Sequence, residues 1–384
     1  MEASKSILKG AGLFLLVFSA VYGGLWLYDK QKGEQPPLIY RVEQPIAVNS
    51  QNSGAIPADF RASVKKILPS IVSIDTLVAG EDFFGRRFIS PTGSGSGVVL
   101  SADGYIVTNN HVVTVNNGRR AVDRVIVKFD DGKSVEAKII GRDPRADVAV
   151  LKVDKAGLQP IAIGDSSSLE VGQWVIAAGN PLGFEHTISV GVVSSIGRPL
   201  QSQANAVFVD GIQTDAAINQ GNSGGALCDA QGRLIGINTM IASTDQGSVG
   251  IGFAIPANRV RQVVDDLIKF GRARYGRIGI SVRSDSSILS MANVRRELMR
   301  QVGASTEPPS TGVLILDVFM NGPAYKAGLR PLDVIQSLNG KAVSSTMDYQ
   351  IFMADKKPGE KIQVKVWSAG QTKTVTVTLD EASE

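Results

Sequence analysis

Short runs of β-branched and aliphatic residues, each closed by glycine, proline or asparagine, recur through the middle of this chain and restrict that region to an antiparallel β architecture. The first set comprises Ile71–Leu77, Gly97–Leu100, Tyr105–Thr108, Val125–Phe129, Val135–Ile140 and Val148–Val153. A second set follows at Trp174–Ala178, Ile188–Ile196, Val207–Asp215, Leu234–Met240 and Val249–Ile255. Many short strands with turn signals between them build sandwiches or barrels. Two sets of about six predict two six-stranded barrels, and 41 glycines in 384 residues suit the number of turns required.

Past Pro256 the period changes. Val260, Val263, Val264, Leu267 and Ile268 recur at helical spacing and Gly271 stands where such a helix stops. The pattern divides the folded part into a barrel unit over 58–256, a connecting helix over 257–274 and a small α+β unit over 275–384. In the last unit strands are predicted at Ile278–Val282, Val313–Val318, Val334–Leu338, Ile362–Trp367 and Thr372–Leu379. Helices are predicted near Ala292–Val302, Pro323–Ala327 and Met347–Ala354.

Residues 1–30 hold an uncharged stretch, Gly10–Tyr28, preceded by Lys5 and Lys9. About 20 apolar residues match the thickness of a bilayer, so the reading is an uncleaved transmembrane helix. Small residues at Ser19, Ala20, Gly23 and Gly24 keep a cleaved signal peptide as the alternative. Residues 31–57, with Pro36, Pro37, Pro45 and Pro57 and no periodicity, read as a tether.

The formal charge of +4 comes from 40 basic and 36 acidic residues scattered along the chain, without the basic stripe that nucleic acid requires. Cys228 is the single cysteine, so no intrachain disulfide exists, and its apolar run Ala226-Leu227-Cys228 marks it as a buried small hydrophobe. With only His111 and His186 beside it, neither a Cys/His zinc site nor any other cofactor is expected.

A serine hydroxyl attacks carbonyls only when a base takes its proton and dipoles receive the oxyanion. Ser223 lies in Gly221-Asn222-Ser223-Gly224-Gly225, where glycines let the backbone turn sharply and aim amides at a developing charge. The same frame fits the nucleophile elbow of α/β-hydrolases, but that fold needs a histidine after the serine and none follows Ser223. The order His111, Asp147, Ser223 is that of chymotrypsin-like barrels. Two alternatives stay open: His186 as the base, and Asp147 as a partner for Arg145.

Three blocks make the resemblance specific: Thr108-Asn109-Asn110-His111-Val112-Val113, Asp147-Val148-Ala149-Val150-Leu151, and Thr214-Asp215-Ala216-Ala217-Ile218-Asn219 running into Gly221–Leu227. From about residue 60 onward the chain resembles the HtrA family of trypsin-like proteases. The resemblance implies a catalytic triad at His111, Asp147 and Ser223 and an oxyanion hole at Gly221, Asn222 and Ser223. It also implies an S1 pocket lined by Ile218, Met240 and Ile241, which holds no acidic residue and so favours a modest aliphatic side chain. Asn219-Gln220-Gly221 departs from the frequent proline at its middle position.

The C-terminal unit resembles a PDZ domain, with Arg277-Ile278-Gly279-Ile280 as the loop that captures a peptide carboxylate. Arg277 stands where an aromatic residue is usual and Leu332 where glycine is common. Arg198 matches an arginine that senses the regulatory state, or is a solvated loop charge. The short Gly80–Pro91 segment and the anchor point to the membrane-tethered, DegS-type subgroup. That subgroup implies a homotrimer in the bacterial inner membrane, with a periplasmic catalytic domain, no nucleic acid partner, and a role in envelope stress signalling or quality control. Its activators would be C-terminal peptides of misfolded or unassembled proteins. The rival reading is a PDZ-based binding scaffold or chaperone with little proteolysis.

Overall fold

A computed structural model describes residues 59–81, 84–180, 186–201, 207–219, 221–241, 250–283 and 286–382. The expected membrane helix and tether lie outside the described residues, among which no helix is long and apolar enough to cross a membrane.

The first closed barrel consists of β1 (Ile71–Glu81), β2 (Arg87–Val99), β3 (Tyr105–Thr108), β4 (Arg124–Lys128), β5 (Ser134–Asp143) and β6 (Val148–Lys152), in the order β1-β2-β3-β6-β5-β4. Its core is aliphatic, with Val72, Ile74, Val99, Ile106, Val127 and Leu151 buried together. The second closed barrel is built from β7 (Trp174–Gly179), β8 (Thr187–Gln201), β9 (Val207–Thr214), β10 (Ala226–Asp229), β11 (Leu234–Ile241) and β12 (Gly252–Pro256), in the order β8-β9-β12-β11-β10-β7. Val175, Ala177, Ile212, Leu227, Ile235 and Ala254 fill it.

Strand β10 is absent from the sequence reading. It is four residues long, carries no β-branched side chain and is buried at Ala226, Leu227 and Cys228 in succession, so neither propensity nor alternation marks it. Within the Gly80–Pro91 segment, residues 80–81 and 87–91 belong to the distal part of the β1–β2 hairpin, which is paired from Ile71↔Val98 out to Glu81↔Arg87.

Helix α1 (Ala257–Phe270) ends in a left-handed Gly271, φ 73°, whose amide returns to the Leu267 carbonyl at 2.9 Å. It packs on β5 and β6 of the first barrel and on β11 and β12 of the second, clamping both. Gly141 makes this possible, because a Cβ there would lie 2.8 Å from the Gly271 carbonyl oxygen.

The C-terminal unit is a sheet of β13 (Ile280–Val282), β14 (Val313–Val318), β15 (Val334–Leu338), β16 (Lys361–Ser368) and β17 (Gln371–Thr378) in that order, with a further short strand at Lys341–Ala342 on β15. Helices α2 (Ala292–Gln301), α3 (Pro323–Lys326) and α4 (Thr346–Met353) accompany it. A reciprocal cap starts α4: the Ser345 hydroxyl accepts from the Asp348 amide at 3.1 Å and the Asp348 carboxylate from the Ser345 amide at 2.9 Å. The expected strand Ile278–Val282 is shortened to β13, and a separate two-residue strand, Gly276–Arg277, precedes it and pairs with Asp380–Glu381, because Gly279 turns the chain with φ 82°. Leu332 adopts φ 71°, a left-handed conformation that glycine takes without a steric penalty.

This unit is tied to the barrels through the chain that follows α1. The Tyr275 hydroxyl donates to the buried Asp143 carboxylate at the end of β5, and the Arg145 guanidinium lies over the Tyr275 ring at 5.0 Å. Lys357 pairs with Asp266 of α1 at 2.7 Å. Helix α4 runs beside β9.

Candidate active site

His111 follows β3 on a single 3-10 turn, Asn110–Val113, which Val112 and Val113 pin by burial while the imidazole stays at the surface of the cleft. Asp147 precedes β6 with φ 55°, a left-handed conformation uncommon outside glycine, and is 4% exposed. Its carbonyl secures this turn by accepting the Asn110 amide at 3.1 Å and the Asn109 side-chain amide at 3.0 Å. The carboxylate is then fully employed. Oδ1 accepts the His111 backbone amide at 3.0 Å, and Oδ2 meets His111 Nδ1 at 2.8 Å and the Thr239 hydroxyl at 2.7 Å.

An ionised carboxylate only accepts, so the neutral ring carries its proton on Nδ1 and keeps the Nε2 lone pair free for a substrate-side proton. Burial alone pushes the imidazole pKa down; the hydrogen bond and charge of Asp147 outweigh it, and His111 titrates above the ordinary histidine range.

Ser223 enters from the second barrel in the turn before β10. Its hydroxyl donates to the Thr239 carbonyl at 3.3 Å, a long bond for a hydroxyl, and no hydrogen bond joins it to the His111 ring among the described residues. Thr239 thus touches two members of the constellation: Asp147 through its hydroxyl and Ser223 through its carbonyl. The turn's amides are mostly committed. Asn222 donates to Asn219 at 3.1 Å, Gly224 to Asn238 at 2.9 Å and Gly225 to Asn222 at 2.9 Å. Among the described residues the amides of Gly221 and Ser223 have no acceptor, and Gly221 has φ 98°, a backbone conformation that glycine takes without a steric penalty. Asn222, counted with the oxyanion donors from the sequence, is corrected: its amide closes the turn and its side chain is buried.

The two alternatives from the sequence are not realised. His186 faces the Ile71 carbonyl at 3.4 Å, and the Arg145 side chain stacks on Tyr275 rather than meeting Asp147. Ile218 is buried in the second barrel, with its side chain where a Cβ on Gly252 would fall 2.8 Å away. Met240 and Ile241 pair with Phe253 and Gly252; their side chains lie outside the described residues. Arg198 is exposed on β8 opposite Gly211, without a side-chain partner among the described residues.

In the C-terminal unit the Ile278 carbonyl accepts the Ala324 amide at 2.9 Å and the Gly279 carbonyl accepts the Phe319 amide at 3.0 Å. Because trans peptides oppose C=O and N–H, the Gly279 and Ile280 amides point the other way, a concavity suited to a carboxylate. Arg277 sits beside it, paired in the backbone with Asp380.

Thr239, Asn109 and Ser96 contribute to the site without having been singled out in the sequence. The one available signal is polarity: Asn238 and Thr239 interrupt the otherwise apolar β11 and are buried.

Two six-stranded antiparallel barrels with a histidine–aspartate pair on the first and a glycine-framed serine on the second define a chymotrypsin-like protease fold, here joined to a PDZ-like unit. Residues 95–237 match the trypsin-like peptidase domain and residues 276–379 the PDZ domain. A probable periplasmic serine endoprotease, DegP-like, of Pseudomonas putida is 35% identical over 364 residues, 86% of this chain and 72% of that protein. Its Bartonella henselae counterpart is 40% identical over 297 residues, 77% of this chain and 55% of that one, so the chain spans about half the length of several curated relatives it matches. Among solved structures, the HtrA-type protease AlgW with decapeptide aligns with TM-score 0.66 at 34% identity, over 85% of this chain and 99% of that one. The serine endoprotease from Yersinia pestis aligns with TM-score 0.59 at 31% identity, over 86% and 100%. The chain belongs to the HtrA family of trypsin-like serine endoproteases.

Proposed function

We propose that this chain is a membrane-tethered serine endopeptidase that cleaves proteins through an acyl-enzyme and is switched on by C-terminal peptides at its PDZ domain. The observation that carries the reading is Asp147 holding His111 by both its ring and its backbone amide, with Ser223 poised on Thr239. Ser223 Oγ attacks the scissile carbonyl carbon while its proton passes to His111 Nε2. The amides of Gly221 and Ser223 receive the oxyanion. Collapse expels the amine, which takes the proton from His111, and water then repeats the sequence to free the acid and restore Ser223. Asp147 stabilises the imidazolium throughout.

The missing bond between Ser223 and His111 fits a resting state completed on activation, since such bonds tighten in the engaged complex. A peptide that binds the active arrangement better shifts that equilibrium. The outward amides of Gly279 and Ile280 support carboxylate capture, and the packing of α4 beside β9, the partner of the strand bearing Arg198, supports a route from peptide to site. The apolar Ile218, Met240 and Ile241 support a preference for aliphatic P1 residues. The tether, the homotrimer, the inner-membrane and periplasmic location and the role in envelope stress signalling are part of the same proposal and rest on the family.

A fluorophosphonate probe tests it. Labelling of the wild type, rising with added C-terminal peptides and lost in Ser223→Ala, is expected; no labelling at any peptide concentration points instead to a PDZ-based scaffold.

A further inference from the structure

Ser96, on β2 of the first barrel, is fully buried and forms a knot with the nucleophile turn of the second. Its hydroxyl donates to the Gly221 carbonyl at 2.5 Å and accepts the Asn180 amide at 2.8 Å. Its own amide donates to the Ser223 carbonyl at 2.9 Å, and its carbonyl accepts the Thr108 hydroxyl at 2.7 Å. The fit leaves no slack: a Cβ on Gly224 would fall 2.2 Å from the Ser96 carbonyl oxygen, and one on Gly95 would fall 3.2 Å from the Ser223 carbonyl oxygen.

The two carbonyls that Ser96 holds bracket the turn that carries the unpaired amides. Fixing the Gly221 carbonyl fixes the plane of the Gly221–Asn222 peptide, which lies between the two amides along the chain, and so restricts the torsions on either side of it. Fixing the Ser223 carbonyl does the same on the other side of the nucleophile. The hydroxyl gives its only proton to the Gly221 carbonyl and takes the Asn180 amide on a lone pair, so rotating it away costs the bond to Gly221.

We infer that Ser96 is a positioning residue for the oxyanion hole, its hydroxyl holding the Gly221 carbonyl so that the Gly221 and Ser223 amides point together at the substrate. This rests on the protease reading above. It assigns to the first barrel a part in oxyanion stabilisation as well as in base catalysis.

The test uses the full-length chain with a quenched fluorescent peptide substrate and saturating activating peptide. Ser96→Ala keeps the backbone bond to Ser223 and deletes only the hydroxyl. A fall in kcat of roughly a hundredfold, the cost of a misplacement on the order of 1 Å, with KM changed less than about twofold, is expected. Fluorophosphonate labelling falls in parallel. Ser70→Ala, which removes a buried hydroxyl-to-carbonyl bond of the same kind to Gln159, controls for general loosening and should leave kcat unchanged. Ser96→Cys, a weaker donor of similar size, should give an intermediate kcat and covers the case in which Ser96→Ala does not fold. Wild-type kcat in a folded Ser96 variant overturns the inference alone. Absence of labelling in the wild type overturns the protease reading and the inference with it.

Discussion

The Thr239 hydroxyl donates to Asp147 Oδ2 at 2.7 Å across the cleft between the barrels, sharing that oxygen with the His111 ring. Asp147 therefore receives one of its restraints from the barrel that carries Ser223.

Replacing Thr239 by valine keeps the shape and removes the donor. A hydrogen bond to a charged group contributes about 1.5–3 kcal/mol, so Thr239→Val should lower the unfolding free energy by about that range. Loss of orientation at Asp147 should reduce kcat on the order of tenfold, the equivalent of about 1.4 kcal/mol. Urea denaturation and steady-state kinetics measure the two effects separately.

His111 titrates above the ordinary histidine value because Asp147 outweighs the effect of burial. The sign for activity follows: the base works when neutral, so the rate of fluorophosphonate labelling should fall as pH drops through a midpoint above about 6.5. The sign for stability is opposite. A raised folded pKa favours the imidazolium in the folded state, so this contribution is complete below about pH 6.5 and is lost as pH rises through the folded value. Asp147→Asn should remove both effects and lower kcat by about 10⁴-fold.

Much of this was legible in the order of residues. The strands Tyr105–Thr108, Val313–Val318 and Val334–Leu338 lie where β-branched and aliphatic runs between turn signals put them, because each is buried at consecutive residues against a core. His111 and Asp147 were recoverable from motif spacing, and they are joined by a hydrogen bond. Thr239 and Ser96 were not, since each acts through a contact between segments distant in sequence, and nothing local distinguishes a serine in a glycine-rich strand from any other. Asn222 misled for the converse reason: adjacency to Ser223 does not reveal which way an amide points.

Asp143 has its pKa raised by burial, despite the Tyr275 hydroxyl, the Arg145 and Ala146 amides and the Arg145 charge that oppose it. Its contribution to stability is therefore complete below about pH 4 and is lost as pH rises through the folded value. Tyr275→Phe deletes one of the groups that limit this loss. The destabilisation it causes should be about 1–3 kcal/mol near neutral pH and smaller near pH 4, as read from paired urea titrations.

Gly279 has φ 82° and stands where a Cβ would press within 3.2 Å of the Pro323 ring. Gly279→Ala should cost about 1–2 kcal/mol locally and turn the amides at Gly279 and Ile280. Binding of a fluorescent C-terminal peptide, followed by anisotropy, should weaken at least tenfold, and peptide-stimulated cleavage should fall while unstimulated cleavage stays the same.

The site is divided between the two barrels, with His111 and Asp147 on the first and Ser223 and Thr239 on the second. Synthesis delivers the first barrel well before the second, and domains fold as they emerge. Under the proposed function, a growing chain therefore presents a base and its carboxylate with nothing to activate, and gains its nucleophile only when the second barrel forms. Under the proposed function, unfinished copies crowded at a membrane are spared from digesting one another by the order in which they are made.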